Sequence, residues 1–226
     1  MGDDEGMRLF AAVVPPEEAA EDLADFLQPR QVATADLPAR LRWTMPHQWH
    51  VTLAFMPEVA QRCLEDLDER LTRACAKRRP MPMRLAGAGA FPHIPLAKVV
   101  WAAVEMEDAD REELRRLSVG CRAAAAKSGA DVEGGRFHPH VTLARLGRPA
   151  DVHRWVDVLS TYDGPAWVAD QVCLFASHLG QGHRGRPRYE LIGRYQLGAD
   201  QRARVRRDRA GSVAQVLPFM TRDRRG

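Results

Sequence analysis

The stretch His50-Val-Thr-Leu-Ala54 occurs a second time, unchanged, as His140-Val-Thr-Leu-Ala144. Successive side chains of a β-strand point to opposite faces, so the histidine and the threonine of each copy share one face. The valine and the leucine of each copy lie on the other face, which is typical of a buried core. Each copy therefore predicts a strand that presents an imidazole and a hydroxyl on the side away from the core.

The similarity between the two halves extends beyond these five residues. Arg8–Val14 begins 42 residues before His50, and Lys98–Val104 begins 42 residues before His140. Both segments are short apolar runs that start with a cation, as expected for buried strands. An offset of about 90 residues superposes the halves over this span without a gap, which indicates an internal duplication.

Further elements follow in the same order in both halves. Apolar residues at spacings of three and four predict helices at Pro16–Leu27, Glu58–Lys77, Ala109–Lys127 and Ala150–Leu159. Closing strands are predicted at Met83–Ala88, Gln171–Ser177 and Arg188–Leu197. Prolines, among them Pro29 and Pro149, are expected between these segments. The glycine-rich run 87–92 is expected to join the halves, and it lacks the pattern of a nucleotide-binding loop.

The charge of the chain is distributed unevenly. The 226 residues carry a net charge of +3, but residues 198–226 contain eight arginines against three aspartates, a balance of +5. Residues 1–197 therefore sum to about −2, and the basic balance belongs to the end of the chain. We expect residues 1–197 to form a single domain and the arginine-rich tail 198–226 to be disordered.

Several features of the composition favour a cytoplasmic protein. No apolar stretch approaches the length of a membrane span, and residues 1–6 are acidic, unlike a secretory signal. The four cysteines form no C-x-x-C pair, which favours free thiols in a reducing compartment. The high content of alanine and arginine suggests a GC-rich bacterial genome. We expect neither a membrane partner nor an oligomer.

A pair of histidines on matching faces suits acid–base chemistry at phosphorus. Opening a cyclic phosphodiester needs a base that takes a proton from water and an acid that protonates the departing oxygen. Histidine does both near neutral pH, and threonine hydroxyls can bind the phosphate oxygens. The main alternative is a metal site around His138 and His140, with His47, His50 and His93 as further ligands. No recognised ligand spacing supports it, so we expect no metal.

The chain resembles the 2H phosphoesterase superfamily, and most of all the RNA 2′,3′-cyclic phosphodiesterases first described as 2′–5′ RNA ligases. The resemblance covers residues 7–197. Besides the paired motifs, it rests on Arg8-Leu-Phe, Arg42-Trp, Gly87-Ala-Gly-Ala-Phe-Pro, Val99-Val-Trp, Phe137-His-Pro-His and Ser177-His-Leu. It implies a bilobed, duplicated α+β fold in which two pseudo-symmetric antiparallel sheets face a central cleft, with helices outside. It also implies hydrolysis of RNA 2′,3′-cyclic phosphate ends to 2′-phosphomonoesters without a cofactor.

By this resemblance His50 is the proton donor and His140 the proton acceptor, while Thr52 and Thr142 bind the phosphate. Arg145 matches a cation that the family often carries beside the second motif. Strict alternation along the strand, however, places Arg145 on the face opposite His140. A strand end or a β-bulge would be needed to turn it inward.

Other functions stay open at this stage. The same two histidines could run the reverse reaction, 2′–5′ RNA ligation, or open a cyclic phosphate on a small nucleotide. A non-catalytic RNA-end-binding module is a further alternative. Phe10, Trp43 and Phe91 could stack on a base, although packing in the core suits them better. The nearly neutral body favours a short RNA 3′ end or a small cyclic nucleotide over long RNA.

Overall fold

The computed structural model describes residues 6–33, 41–182 and 185–198, which contain four α-helices and nine strands. The helices are α1 (Glu17–Ala33), α2 (Leu64–Ala76), α3 (Asp108–Lys127) and α4 (His153–Leu159). The strands are β1 (Met7–Val13), β2 (Leu41–Trp43), β3 (Val51–Val59), β4 (Met81–Phe91), β5 (Ala97–Glu105), β6 (His140–Ala150), β7 (Trp167–Ala169), β8 (Gln171–His178) and β9 (Arg188–Gln196). Residues 199–226, which make up all but the first residue of the arginine-rich tail, lie outside the described residues.

All strand pairs are antiparallel, and the strands follow the order β7-β4-β5-β6-β3-β1-β8-β9, with β2 paired to β6. Strands β3 and β6 meet through Val51 and Val141, the second residues of the two pentapeptides. Outward from this pair the order is β3-β1-β8-β9 on one side and β6-β5-β4-β7 on the other. Strands β3, β1 and β4 of the first half thus correspond in place to β6, β5 and β8 of the second, as a pseudo-twofold axis requires.

The helices are exchanged between the two halves. Helix α3 follows the first strand of the second repeat but packs against α2 and β3. Its buried Ser118 hydroxyl donates a 2.6 Å hydrogen bond to the Leu53 carbonyl, inside the first pentapeptide. Helix α1 contacts the segment after α4, where the Tyr162 hydroxyl donates a hydrogen bond to the carboxylate of Asp22 in α1. Both motif strands are thus backed by apolar layers and present their other face to the cleft.

The inner faces of the helices follow the predicted spacing. The fully buried side chains include Leu67 and Leu71 of α2 and Leu114 and Leu117 of α3. Apolar residues spaced three or four apart predict such a buried face. The cysteines are free thiols, and all but one are buried: Cys63, Cys75, Cys121 and Cys173. The predicted α+β fold with antiparallel sheets and outer helices is confirmed.

Several predicted boundaries were wrong. Pro29 lies inside α1, which runs on to Ala33. Proline here removes a single helical N–H, and the Arg30 side chain next to it donates to the Phe26 carbonyl. Helix α2 begins six residues later than predicted because β3 continues to Val59. Pro149 lies within β6.

The glycine-rich run 87–92 does not link the halves, since most of it belongs to β4. Gly89 packs against Trp101 so closely that a Cβ there would clash with the indole ring. Gly87 has a φ of +73° where the pairing of β4 with β5 shifts register. These glycines therefore serve close packing and a β-bulge rather than a flexible connection.

Candidate active site

A β-bulge interrupts both motif strands at the same place. In β3, Thr52 and Ala54 pair with the adjacent residues Ala12 and Ala11 of β1. In β6, Thr142 and Ala144 pair with the adjacent residues Trp101 and Val100 of β5. Each motif strand thus carries one extra residue between its threonine and the alanine that ends the pentapeptide.

The bulges reverse the alternation of side chains beyond the pentapeptides. In both strands two consecutive residues are buried, Leu53 with Ala54 and Leu143 with Ala144. The next residues, Phe55 and Arg145, consequently return to the cleft side. The expectation that strict alternation directs Arg145 to the outer face is therefore wrong, and the bulge is the reason.

The same pairing corrects the offset of the repeat. The motif strands are related by 90 residues, but Ala12 of β1 corresponds to Trp101 of β5, 89 residues later. The superposition therefore contains a one-residue gap between the first strand and the motif. Its consequence is that Phe10 occupies the place of Val99 while Ala12 occupies the place of Trp101, so bulky residues surround the two histidines differently.

The two histidines line one open cavity of about 570 Å³ between the lobes. Thr52, Phe55 and Arg145 also line it. Thr142 is half-buried and does not line this cavity, although as the second residue after His140 it lies on the same face of β6. The structure thus brings together four of the five predicted site residues. Further lining residues used below are Arg8, Phe10, Arg136, His138, Ser177, Leu179 and Tyr189.

Both imidazoles are held by the same backbone contact. The Nδ1 atom of His50 lies 2.7 Å from the carbonyl oxygen of Gln48, and Nδ1 of His140 lies 2.7 Å from that of His138. A carbonyl oxygen only accepts, so each Nδ1 carries the proton and donates it. This leaves each Nε2 as the atom that exchanges a proton with a bound molecule.

The surroundings of the two rings differ. His50 stacks on buried Phe10 at 4.5 Å between ring centroids, and Tyr189 meets it edge-on at 5.6 Å. The buried Gln48 that anchors it donates its side-chain amide to the Pro187 carbonyl, two residues before Tyr189. This network fixes the entry to β9 beside the ring of His50.

His140 lies among a second set of rings. Phe91 meets it edge-on at 5.0 Å, and Trp101 and exposed His138 each lie 6.1 Å away. Phe10 and Phe91 therefore pack on the histidines. Trp43 packs against Trp155 instead, away from this cavity.

Burial and neighbouring cations disfavour the charged form of both histidines. Burial lowers the pKa of His50 to about 4, with further lowering by the charges of His140 and Arg145. Burial also lowers the pKa of His140, helped by the charges of His138 and Arg145. The hydrogen bond to the backbone carbonyl opposes the shift in each case. Because the charge of His140 lowers the pKa of His50, we expect the two imidazoles to titrate as a pair.

Sequence reasoning missed two side chains of this cavity. The guanidinium of Arg8 lies 4.3 Å from the centroid of the Phe55 ring. Tyr189 is half-buried, and burial raises its pKa while the charges of Arg145 and Arg8 lower it. Arg8 was visible as the cation that leads the first strand, but nothing local distinguished Tyr189, which reaches the site from the last strand.

His47 and His93, considered above as further metal ligands, do not line this cavity, and neither does His178. His178 lies at the rim in a 3.0 Å contact with Glu190, and His47 is exposed. Within the described ranges, no group of three His, Cys, Asp or Glu side chains is arranged to hold a metal ion. No helix in this part of the chain is long and apolar enough to cross a membrane.

Comparison with known proteins identifies the family. A family model described as the 2′-5′ RNA ligase superfamily matches residues 14–181. The chain belongs to this superfamily. A Thermus thermophilus relative named RNA 2′,3′-cyclic phosphodiesterase is 36% identical over 155 residues, which cover 64% of this chain and 71% of the relative. Relatives of the same name from Geobacillus stearothermophilus (32% identical) and Aeropyrum pernix (34% identical) are matched over only 41% and 65% of their own lengths.

Solved structures of the superfamily share the fold. Escherichia coli LigT in apo form matches with a TM-score of 0.65 at 26% identity, covering 85% of this chain and 98% of LigT. The protein TT0787 of Thermus thermophilus matches with a TM-score of 0.65 at 27% identity, covering 86% and 100%. A further LigT structure of this group is a complex with 3′-AMP. These matches agree with the predicted 2H phosphoesterase architecture.

Proposed function

We propose that this member of the superfamily hydrolyses 2′,3′-cyclic phosphate ends of RNA to 2′-phosphomonoesters, by acid–base catalysis with two histidines and no metal. The observation that carries the proposal is the matched anchoring of His50 and His140. Each ring donates from Nδ1 to the carbonyl two residues earlier and keeps Nε2 available at one cavity. The names of the curated relatives support the substrate class.

In the reaction, Nε2 of His140 takes a proton from water, and the water oxygen bonds to phosphorus. The bond between phosphorus and the 3′ oxygen breaks, and Nε2–H of His50 gives that oxygen its proton. The products are a 2′-phosphomonoester and a free 3′ hydroxyl. This assignment of acid and base follows the family resemblance. The burial that lowers both pKa values leaves His50 to gain its proton when the anionic substrate enters.

Charge develops on the non-bridging phosphate oxygens in the transition state, and donors fixed beforehand stabilise it. Thr52 and Arg145 line the cavity and provide a hydroxyl and a guanidinium. Neither Arg145 nor Arg8 is within ion-pair distance of a carboxylate in the described residues, so both charges are available to a phosphate. Thr142 contributes from the adjoining position on β6.

The finer predictions extend this proposal. We place the enzyme in a bacterial cytoplasm, which the free thiols support, and treat it as a monomer whose catalytic domain is residues 1–197. We expect the tail 198–226 to add non-specific attraction to RNA or nothing measurable, and to have no catalytic part. A non-catalytic RNA-binding module would instead depend on the tail for most of its affinity.

One assay tests these points together. The full chain is incubated in EDTA with an oligonucleotide that ends in a 2′,3′-cyclic phosphate, and the product is analysed for a 2′-phosphate. We expect turnover in EDTA, and we expect a chain truncated after Leu197 to keep it. Absence of a 2′-phosphate product, or its appearance only with added metal, would contradict the proposal.

A further inference from the structure

The cleft contains a second cation at the place that mirrors Arg145. The bulge in β3 turns Phe55 inward where the bulge in β6 turns Arg145 inward. Phe55 carries no charge, but the guanidinium of Arg8 lies over its ring at 4.3 Å. The first lobe therefore also presents a guanidinium at this position, supplied by β1 and oriented by a cation–π contact.

Arg8 is placed to meet an anion. Its side chain is half-buried, and it forms neither an ion pair nor a side-chain hydrogen bond in the described part of the chain. Because a partly desolvated guanidinium gains most from a phosphate or carboxylate partner, an open position beside it is a ready anion site. In the proposed mechanism Arg145 contacts the catalytic phosphate from the other lobe, so Arg8 can serve a different phosphate.

A neighbouring cavity shows where that phosphate belongs. A cavity of about 560 Å³ adjoins the catalytic one, and Arg8, Ser177 and Leu179 line both. Its volume suits a nucleotide. Arg8 thus stands at the passage between the reacting phosphate and a space able to hold the preceding nucleotide.

The groove on the opposite side of the cleft, about 750 Å³, is less suited to a phosphate chain. Arg111 approaches Glu105 at 3.9 Å, and Arg115 binds Glu112 at 2.7 Å. Arg122 donates to the carbonyls of Gly135 and Glu133. The charges of these three cations are therefore already engaged. Exposed Arg136 is an arginine on that side and serves as the control for Arg8 below.

We propose that Arg8, held over Phe55, binds the phosphate on the 5′ oxygen of the terminal ribose. The enzyme then selects RNA ends, in which a second phosphate lies one ribose away from the cyclic phosphate, over free nucleoside 2′,3′-cyclic phosphates. This inference rests on the proposed function and narrows its substrate class.

The test compares two substrates that differ in one phosphate. Adenosine 2′,3′-cyclic phosphate and its 5′-phosphorylated form are hydrolysed by the full chain, and kcat/KM is measured for each. We expect the wild type to prefer the 5′-phosphorylated substrate by about tenfold or more, as for a charge-assisted hydrogen bond. Arg8→Ala reduces this ratio to about one, whereas Arg8→Lys and the matched control Arg136→Ala keep most of it.

Binding gives a second measurement that does not depend on turnover. Adenosine 2′,5′-bisphosphate should bind the wild type more tightly than adenosine 2′-phosphate, by a factor that added salt and Arg8→Ala both reduce. An unchanged ratio in Arg8→Ala, or loss of the ratio in Arg136→Ala instead, overturns the inference alone. If the wild type also leaves the cyclic-phosphate oligonucleotide unhydrolysed, the proposed function itself fails and the inference with it.

Discussion

The two copies of the motif share a backbone and differ in their neighbours. Both place the histidine two residues after its carbonyl anchor, at 2.7 Å, and both follow it with a bulge. The first histidine is enclosed by Phe10 and Tyr189, whereas the second lies beside Phe91, Trp101 and exposed His138. The backbone is thus duplicated, while the rings around it are not.

Under the proposed mechanism, this difference lets a symmetric fold supply an acid and a base. Identical pentapeptides in identical surroundings would give imidazoles of equal proton affinity. Because of the one-residue gap in the repeat, β1 and β5 present different side chains to the cleft. In addition, the first lobe has Phe55 at the position where the second has Arg145. Packing on the adjacent strands, rather than the motif, therefore sets the proton affinity of each histidine.

The largest expected effect concerns what the two copies share. His50→Ala and His140→Ala should each lower kcat on a cyclic-phosphate oligonucleotide by about 10³-fold, because each removes one of two proton-transfer groups. The double variant should lose little more than either single one, since the pair acts as a unit. His153→Ala, at an exposed histidine that contacts Asp151, is the matched control. Wild-type rates in either single variant would exclude the two-histidine mechanism.

The next effect concerns the position where the copies differ. Arg145→Ala should lower kcat/KM by about 10²-fold, because it removes a charge aimed at the developing phosphate charge. Arg148 lies on the same strand, is exposed and does not line the cavity, so Arg148→Ala serves as the control. Equal losses in both variants would show general electrostatic attraction instead of a specific phosphate contact.

A smaller effect separates the two threonines. Thr52 lines the cavity and Thr142 does not. Thr52→Val should therefore lower kcat/KM by about tenfold, the effect of one lost hydrogen bond. Thr142→Val should change the rate less. Steady-state kinetics on one substrate decide between them, and a larger loss in Thr142→Val would mean that the cleft closes around the substrate from the second lobe.

The sequence predicted those parts of the site that depend on local pattern. Alternation along the pentapeptides places His50 and His140 on the cleft side, and helical spacing identifies the buried faces of α2 and α3. The side of Arg145 could not be predicted, because the bulge is defined by pairing with β5. Tyr189 was equally out of reach, since it joins His50 from a strand more than a hundred residues later.

Other errors have the same origin. Strands β2 and β7 contain three residues each, too few for a periodic pattern, and exist through pairing with β6 and β4. Glycine is typical of loops, so the local sequence predicts a connection at Gly89, whereas the role of this residue depends on the indole of Trp101 across the sheet. Local sequence indicates an element, but contacts between distant strands decide what it contributes.

The smallest expected effect is a displacement of the pH profile, which reports how the two surroundings tune the pair. kcat/KM requires free enzyme with one of the two imidazoles protonated. Burial lowers the pKa of His50 to about 4 and also lowers that of His140, so this form is most populated on the acid side of pH 6.5, the ordinary value for histidine. kcat/KM should therefore reach its maximum below pH 6.5 and decline towards neutral pH.

Arg145 lowers both pKa values through its positive charge. Its removal in Arg145→Ala relieves that repulsion, both pKa values rise, and the profile moves to higher pH, while Arg148→Ala leaves it in place. The measurement is kcat/KM against pH at constant ionic strength for the three proteins. A shift of Arg145→Ala to lower pH would mean that the guanidinium acts on the histidines through a bound anion rather than directly. The unmatched position after the second pentapeptide would then tune the pair only in the presence of that anion.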